Sequence, residues 1–157
     1  MSSLNALTRQ GHHLLQIGIC LILYLAVEGF AIPYVGSPRI GLSVHTLSIV
    51  QANLFLALGL LWPRLALGRI GARVAFGCLV YSALAILAAY SIAAAWGVGN
   101  ETIVLTGELP HGLHHGSVLQ ESFIKALAYS SAPTGLIAFA MILWGLRAAE
   151  RQQLESR

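Results

Sequence analysis

Four apolar segments, each long enough to cross a lipid bilayer, constrain the fold of this chain more than any other feature. They lie at roughly residues 14–35, 45–62, 72–96 and 123–146. A helix of about 20 residues, rising ~1.5 Å per residue, crosses the ~30 Å hydrocarbon core. The period-two alternation of a transmembrane barrel is absent. Because backbone polar groups in lipid must be paired internally, the sequence predicts an all-α fold of four transmembrane helices.

The composition agrees with a membrane protein. Hydrophobic residues make up 57% of the chain and charged residues 10%, whereas soluble domains contain about 25% charged residues. The net charge of +3 does not indicate a nucleic-acid partner, because the basic residues flank apolar segments and form no stripe. We therefore expect residues 1–157 to form a single membrane domain, a four-helix bundle in the lipid bilayer of a bacterial inner membrane.

The basic residues also predict the orientation of the helices. One group lies before the first segment, between the second and third, and after the fourth: Arg9, Arg64, Arg69, Arg73, Arg147, Arg151 and Arg157. The other two connections contain only Arg39, with Lys125 just inside the fourth segment. The positive-inside rule then places both termini in the cytoplasm.

With this orientation, three helices carry polar side chains at a similar depth. Glu28, Gln51 and Tyr90 each lie about six or seven residues from the outer end of a segment, roughly 10 Å below the surface. Such a layer predicts a functional site, and the alternative is polar contact between helices. Successive helical residues turn by ~100°, so Gln51 and Asn53 cannot face one small ligand. We expect Gln51 to face the site and Asn53 to bond a neighbouring helix.

Glu28 is a secondary candidate for the site. A carboxyl group in lipid is expected to be neutral or paired, and a structural ion pair or hydrogen bond is favoured over a catalytic role. Lys125 could be its partner only if the first and fourth helices are neighbours. Glu121 lies four residues before Lys125, a spacing that favours an ion pair within the helix.

The histidines allow metal binding without establishing it. His45 lies at the start of the second segment, where it could be a metal ligand or an interfacial residue. His111, His114 and His115 could suggest zinc, but their glycine-rich connection favours a solvated loop. The sequence contains no Ser-His-Asp arrangement, phosphate-binding loop or dinucleotide fingerprint. The residues alone thus predict a polar pocket among four membrane helices. They leave open whether this pocket binds a metal.

Several motifs spread over most of the chain carry a family resemblance. They are Gly29-Phe30-Ala31-Ile32-Pro33, Pro38-Arg39-Ile40-Gly41-Leu42-Ser43 with His45, Leu58-Gly59-Leu60-Leu61-Trp62-Pro63-Arg64-Leu65, Ala94-Ala95-Trp96-Gly97 and Ile142-Leu143-Trp144-Gly145-Leu146-Arg147. They resemble the hydroxylaminobenzene mutases, which are similar in turn to styrene oxide isomerase, a small integral membrane enzyme. The spacings of Gly11-His12, His45, Pro63 and Tyr90 also match that wider family.

The resemblance implies a cofactor and an assembly. His45 matches the histidine that binds haem b, whose ferric iron acts as a Lewis acid. Tyr90 matches a tyrosine of that family, and Gln51 matches a substrate-contacting asparagine, lengthened here by one methylene. Ser82 stands where the isomerase has a carboxylate. The resembled family forms trimers with haem near the subunit contacts, so a homotrimer is expected.

The expected activity is rearrangement of a small aromatic substrate, hydroxylaminobenzene to 2-aminophenol. His45 would hold the iron, Tyr90 would donate to the leaving oxygen and Gln51 would orient the substrate. One alternative is isomerisation of an aryl epoxide such as styrene oxide to an aldehyde, and another is a non-catalytic haem-binding membrane protein. An electron carrier is disfavoured because no second histidine lies at membrane depth. A structural protein without cofactor ranks last.

Overall fold

The computed structural model describes residues 3–99, 102–103 and 116–155, which form four long helices. These are α1 (Ser3–Ala31), α2 (Pro38–Leu61), α3 (Arg69–Trp96) and α4 (Val118–Glu155). Short 3-10 turns, Ile32–Tyr34 and Trp62–Arg64, follow α1 and α2. The described ranges contain no strand. Each helix is long and apolar enough to cross a membrane, so the predicted all-α, four-span fold is confirmed, and the placement of the termini stays a prediction.

The start of α2 differs from the expected start, and the difference moves His45 into the helix. The helix begins at Pro38, and the Ser37 hydroxyl accepts a hydrogen bond from the backbone N–H of Ile40 at 3.4 Å. A capping serine followed by proline at the first helical position is a strong initiation signal. His45 therefore lies about two turns inside α2 instead of at its end.

The helices pack in the order in which they occur along the chain. α1 lies along α2, α3 lies along α4, and the two pairs meet through α2 and α3. In the described part of the chain, α1 does not pack against α4. Lys125 of α4 is therefore not the partner of Glu28 of α1.

Small residues bring α1 and α2 into close contact. A Cβ atom added to Gly11 would lie 2.7 Å from the carbonyl oxygen of Gly59, and one added to Gly18 would lie 3.1 Å from that of Ala52. Close backbone approach of this kind is typical of helix pairs in membranes. Next to the Gly11–Gly59 contact, the buried indole of Trp62 donates from Nε1 to Oε1 of Gln10 at 3.1 Å. The α1–α2 seam is thus tightly fixed.

Hydroxyl groups join α3 to α4. The Ser82 hydroxyl donates to the backbone oxygen of Ser131 at 2.7 Å, and the hydroxyls of Tyr81 and Ser130 are 2.8 Å apart. A Cβ atom on Gly135 would lie 2.6 Å from Oγ of Ser82. Ser82, which the resemblance aligned with a carboxylate, therefore serves this interhelical contact.

Two further expectations concern the end of α4 that follows the connection from α3. Glu121 Oε1 accepts backbone hydrogen bonds from Gly99 at 2.9 Å and Gly116 at 3.2 Å. The Lys125 ammonium instead lies 5.8 Å from the centroid of the Tyr129 ring. The expected Glu121–Lys125 ion pair is wrong, because the free N–H groups beside the start of α4 take the carboxylate. The triplet His111, His114 and His115 lies outside the described residues.

Candidate functional site

The site begins with an imidazole and a carboxylate on neighbouring helices. His45 Nδ1 of α2 lies 3.1 Å from Oε2 of Glu28, in the last turn of α1. The Glu28 side chain is 12% exposed and the His45 side chain 35% exposed. A Cβ atom on Gly29 would lie 3.3 Å from Cε1 of His45, so the ring rests close to the α1 backbone. Glu28 is therefore paired, as expected, and its partner is His45 instead of Lys125.

The other ring nitrogen of His45 is unengaged. Within the described residues, Nε2 has no hydrogen-bond partner. A neutral imidazole with its proton on Nδ1 keeps a lone pair on Nε2, which suits it to ligate a metal.

His45 stands as a single candidate metal ligand. No group of three or more His, Cys, Asp or Glu side chains that could hold a metal ion occurs among the described residues. A haem supplies four nitrogen ligands itself and can be held by one histidine of the protein. His45, with Nε2 free of a hydrogen-bond partner in the described part of the chain, meets that requirement.

Of the two amides of α2, it is Gln51 that bonds a neighbouring helix. Gln51 is 5% exposed, and its Nε2 donates to the backbone oxygen of Ala83 in α3 at 3.0 Å. Asn53 is exposed, and its Nδ2 donates to the oxygen of Ile49 in its own helix at 3.0 Å. The expectation that Asn53 bonds a neighbouring helix is wrong, because α3 packs on the face of α2 that carries Gln51.

Gln51 also has an unsatisfied acceptor. Its Oε1 is buried and has no hydrogen-bond partner among the described residues. A buried acceptor without a partner costs about 1–3 kcal/mol, and such groups in a native protein mark strain or a missing ligand. Gln51 therefore has one polar atom, Oε1, that the described residues leave without a partner, while its Nε2 holds α3.

Tyr90 lines a groove between α2 and α3. The groove encloses about 490 Å³, and its walls include Leu42, Thr46, Leu47, Val50, Ile86 and Tyr90. The Tyr90 hydroxyl has no hydrogen-bond partner in the described part of the chain. Mostly apolar walls and one free phenol suit a small aromatic ligand with a polar group.

The polar layer is only partly present. His45 lies opposite Glu28, whereas Gln51 reaches Ala83, and Tyr90 follows Ala83 by about 10 Å along α3. Within one chain these residues do not surround a single cavity, because His45 faces α1 and Tyr90 faces the groove toward α3. The sequence does not predict the Glu28–His45 pair, because the second apolar segment begins at residue 45 and places His45 at the end of its helix. The Ser37-Pro38 initiation signal could have revealed it.

A second groove lies between α1 and α3. It encloses about 620 Å³, and its walls include His13, Gln16, Cys20, Tyr24, Phe76 and Leu87. The hydroxyls of Tyr24 and Ser91 are 3.0 Å apart and join the same two helices. None of the predicted site residues lines this groove, so it is not included in the candidate site.

Known proteins resemble the chain over most of its length. Residues 10–147 match the styrene oxide isomerase family. Hydroxylaminobenzene mutase HabB of Ectopseudomonas oleovorans is 38% identical over 136 residues, which cover 87% of this chain and 80% of that protein. HabA of the same organism is 28% identical over 134 residues, covering 85% and 96%. No solved structure matches the chain. The chain therefore belongs to the styrene oxide isomerase family and is an integral membrane isomerase.

Proposed function

We propose that this isomerase is haem-dependent and rearranges an arylhydroxylamine, converting hydroxylaminobenzene to 2-aminophenol. The observation that carries the proposal is the state of His45, whose Nδ1 is held by Glu28 and whose Nε2 is free. The identity of 38% to a hydroxylaminobenzene mutase favours this substrate over an aryl epoxide.

His45 would hold haem b through Nε2. Ferric haem would supply a Lewis acid, which stabilises negative charge developing on a substrate oxygen. Within the described residues, no second histidine, cysteine or carboxylate joins His45 and Glu28 in a metal-ligand group. His45 would therefore be the residue that holds the haem, and the substrate would meet the Lewis acid there.

Tyr90 would assist cleavage of the N–O bond of the substrate. In the rearrangement the N–O bond breaks, a C–O bond forms at the ortho ring carbon, and the proton lost from that carbon is returned to nitrogen. The free phenol of Tyr90 would donate a hydrogen bond to the departing oxygen. Leu47 and Ile86 would hold the aromatic ring and keep bulk water from capturing the cationic intermediate of the ring.

Gln51 would orient the nitrogen of the substrate. Its Oε1 is a buried acceptor without a partner, and an arylhydroxylamine carries an N–H donor. Its neighbour in sequence, Val50, lines the groove that contains Tyr90. The bond from Gln51 Nε2 to Ala83 fixes the amide, so the acceptor would be held in one orientation.

We further propose that the site is completed between copies in a homotrimer. On one chain, His45 and the groove of Tyr90 lie on different sides of the exposed face of α2. That face presents large apolar side chains, among them Leu42, Ile49 and Val50. A second copy seated there could bring its own Tyr90 toward His45.

The first experiment is an absorption spectrum of detergent-purified protein, with His45→Ala beside the wild type. Both are supplied with hemin, and both are then assayed with hydroxylaminobenzene without added reductant or nucleotide. We expect a Soret band and 2-aminophenol from the wild type, and neither from the variant. A wild type without a Soret band would contradict haem dependence.

A second outcome tests the proposed substrate independently of the proposed cofactor. A haem-loaded wild type that leaves hydroxylaminobenzene unchanged would contradict the mutase activity. Styrene oxide would then be the next substrate, because the matching family is named for it.

A further inference from the structure

We infer that Glu28 is a positioning residue for His45, selecting the imidazole tautomer that leaves the lone pair on Nε2 to ligate iron. This inference rests on the proposed haem function. It extends that proposal from the iron ligand, His45, to the carboxylate that is hydrogen-bonded to it, Glu28. A histidine ligand generally donates its second N–H to a carboxylate or a carbonyl, which fixes the orientation and basicity of the ring.

The hydrogen bond decides which ring nitrogen carries the proton. A neutral imidazole has one N–H, and a carboxylate only accepts hydrogen bonds. With Glu28 as a carboxylate, the 3.1 Å contact between its Oε2 and Nδ1 of His45 places the proton on Nδ1. The other tautomer would place two lone pairs against each other across this distance. Nε2 is therefore the nitrogen left for a ligand.

The residue after Glu28 fixes the ring from a second direction. A Cβ atom on Gly29 would lie 3.3 Å from Cε1 and 3.6 Å from Nδ1 of His45. The absence of a side chain at Gly29 lets the imidazole approach the α1 backbone. Two successive residues of α1 thus set the ring, one by a hydrogen bond and one by the space that it leaves.

The remainder of the α1–α2 seam holds this arrangement at a constant distance. Gly11 meets Gly59 and Gly18 meets Ala52 along the same helix pair, each through backbone contact. Glu28 and His45 are on the same two helices, so their separation is set by this packing. A support built into a tightly packed seam can hold a metal ligand in one geometry.

A purely structural role for the pair makes a different prediction. Polar contacts between membrane helices contribute about 0.6–2 kcal/mol each, and an ionisable group in lipid needs a partner in any case. Loss of such a contact would lower stability and leave the iron–histidine bond unchanged. A positioning role would change that bond in folded protein, so spectroscopy of the bond decides between the two roles.

The test uses full-length, haem-loaded wild type, Glu28→Ala and Glu28→Gln. Glu150→Gln is the matched control, because it neutralises an exposed carboxylate of α4. Hemin titration gives the affinity, and resonance Raman spectroscopy of the ferrous protein gives the iron–histidine stretching frequency. We expect Glu28→Ala to weaken haem binding about 10–100-fold and to lower that frequency. The control should match the wild type in both measurements.

The glutamine variant keeps the test decisive if the alanine variant fails to fold. Its amide oxygen can still accept from Nδ1–H, so haem affinity should stay within a few-fold of the wild type, with an intermediate stretching frequency. Wild-type frequencies in both Glu28 variants, with haem bound, would overturn the inference and leave the haem proposal standing. A wild type that binds no haem would overturn both.

Discussion

The Gln51 side chain donates a hydrogen bond from Nε2 to the backbone oxygen of Ala83, and this 3.0 Å bond joins α2 to α3. Those helices also connect the two helix pairs of the fold. The bond therefore lies at the contact that joins the two helix pairs. Val50, the residue before Gln51, lines the groove that contains Tyr90.

Gln51→Ala should lower the stability of the protein by roughly 0.6–2 kcal/mol, because it removes a polar contact between membrane helices. Asn53→Ala is the matched control, since it removes an amide that bonds only its own helix. Thermal unfolding in detergent, followed by circular dichroism, measures both. Equal melting temperatures for the two variants would show that the bond to Ala83 contributes nothing to stability.

Tyr90→Phe should slow the conversion of hydroxylaminobenzene about 100-fold or more, because a hydrogen-bond donor in the reaction is lost. The aromatic ring remains, so KM should change only a few-fold and the Soret band should stay. Tyr129→Phe, which alters an exposed tyrosine of α4, is the control and should retain full activity. An undiminished kcat in Tyr90→Phe would remove the phenol from the proposed mechanism.

A mixture of two inactive variants tests whether copies share a site. If His45 and Tyr90 of one site come from different chains, co-expression of His45→Ala with Tyr90→Phe should restore roughly a quarter of the wild-type rate by random mixing. If one chain supplies both groups, every site in the mixture lacks one of them and activity stays absent. Each variant expressed alone sets the baseline, and size-exclusion chromatography with light scattering gives the oligomeric state.

Gly29→Ala should weaken haem binding about tenfold, as expected when a group that supports a metal ligand is disturbed. The added methyl group would lie 3.3 Å from Cε1 of His45 and would push the ring by a few tenths of an ångström. Gly77→Ala is the control, because a Cβ atom there meets nothing within 4 Å. Hemin titration compares the two, and equal affinities would show that the ring tolerates the displacement.

The sequence predicts the helices well because the length of an apolar segment is a property of the chain alone. It also predicts that Gln51 and Asn53 face different ways, since the angle between two residues follows from helix geometry. Which of them meets a neighbouring helix depends on the order of packing, and span lengths contain no information about that order. The structure was needed to place α3 against Gln51.

The carboxylate beside His45 shows a second limit. Depth estimates count residues from the ends of helices, and the expected start at residue 45 placed His45 at the membrane surface, above Glu28. The true start at Pro38 moves the histidine down to the level of Glu28. A difference of about two turns in one boundary thus concealed the contact between the two ionisable side chains of the candidate site.

The pairing of α1 with α2 and of α3 with α4 has a consequence for biosynthesis. The chain consists of two helical hairpins, and α1 and α2 are translated before α3 and α4. Glu28 and His45 both belong to the hairpin that leaves the ribosome first, and Tyr90 belongs to the second. The imidazole and its carboxylate can therefore meet in the membrane while the helix that carries the phenol is still being synthesised.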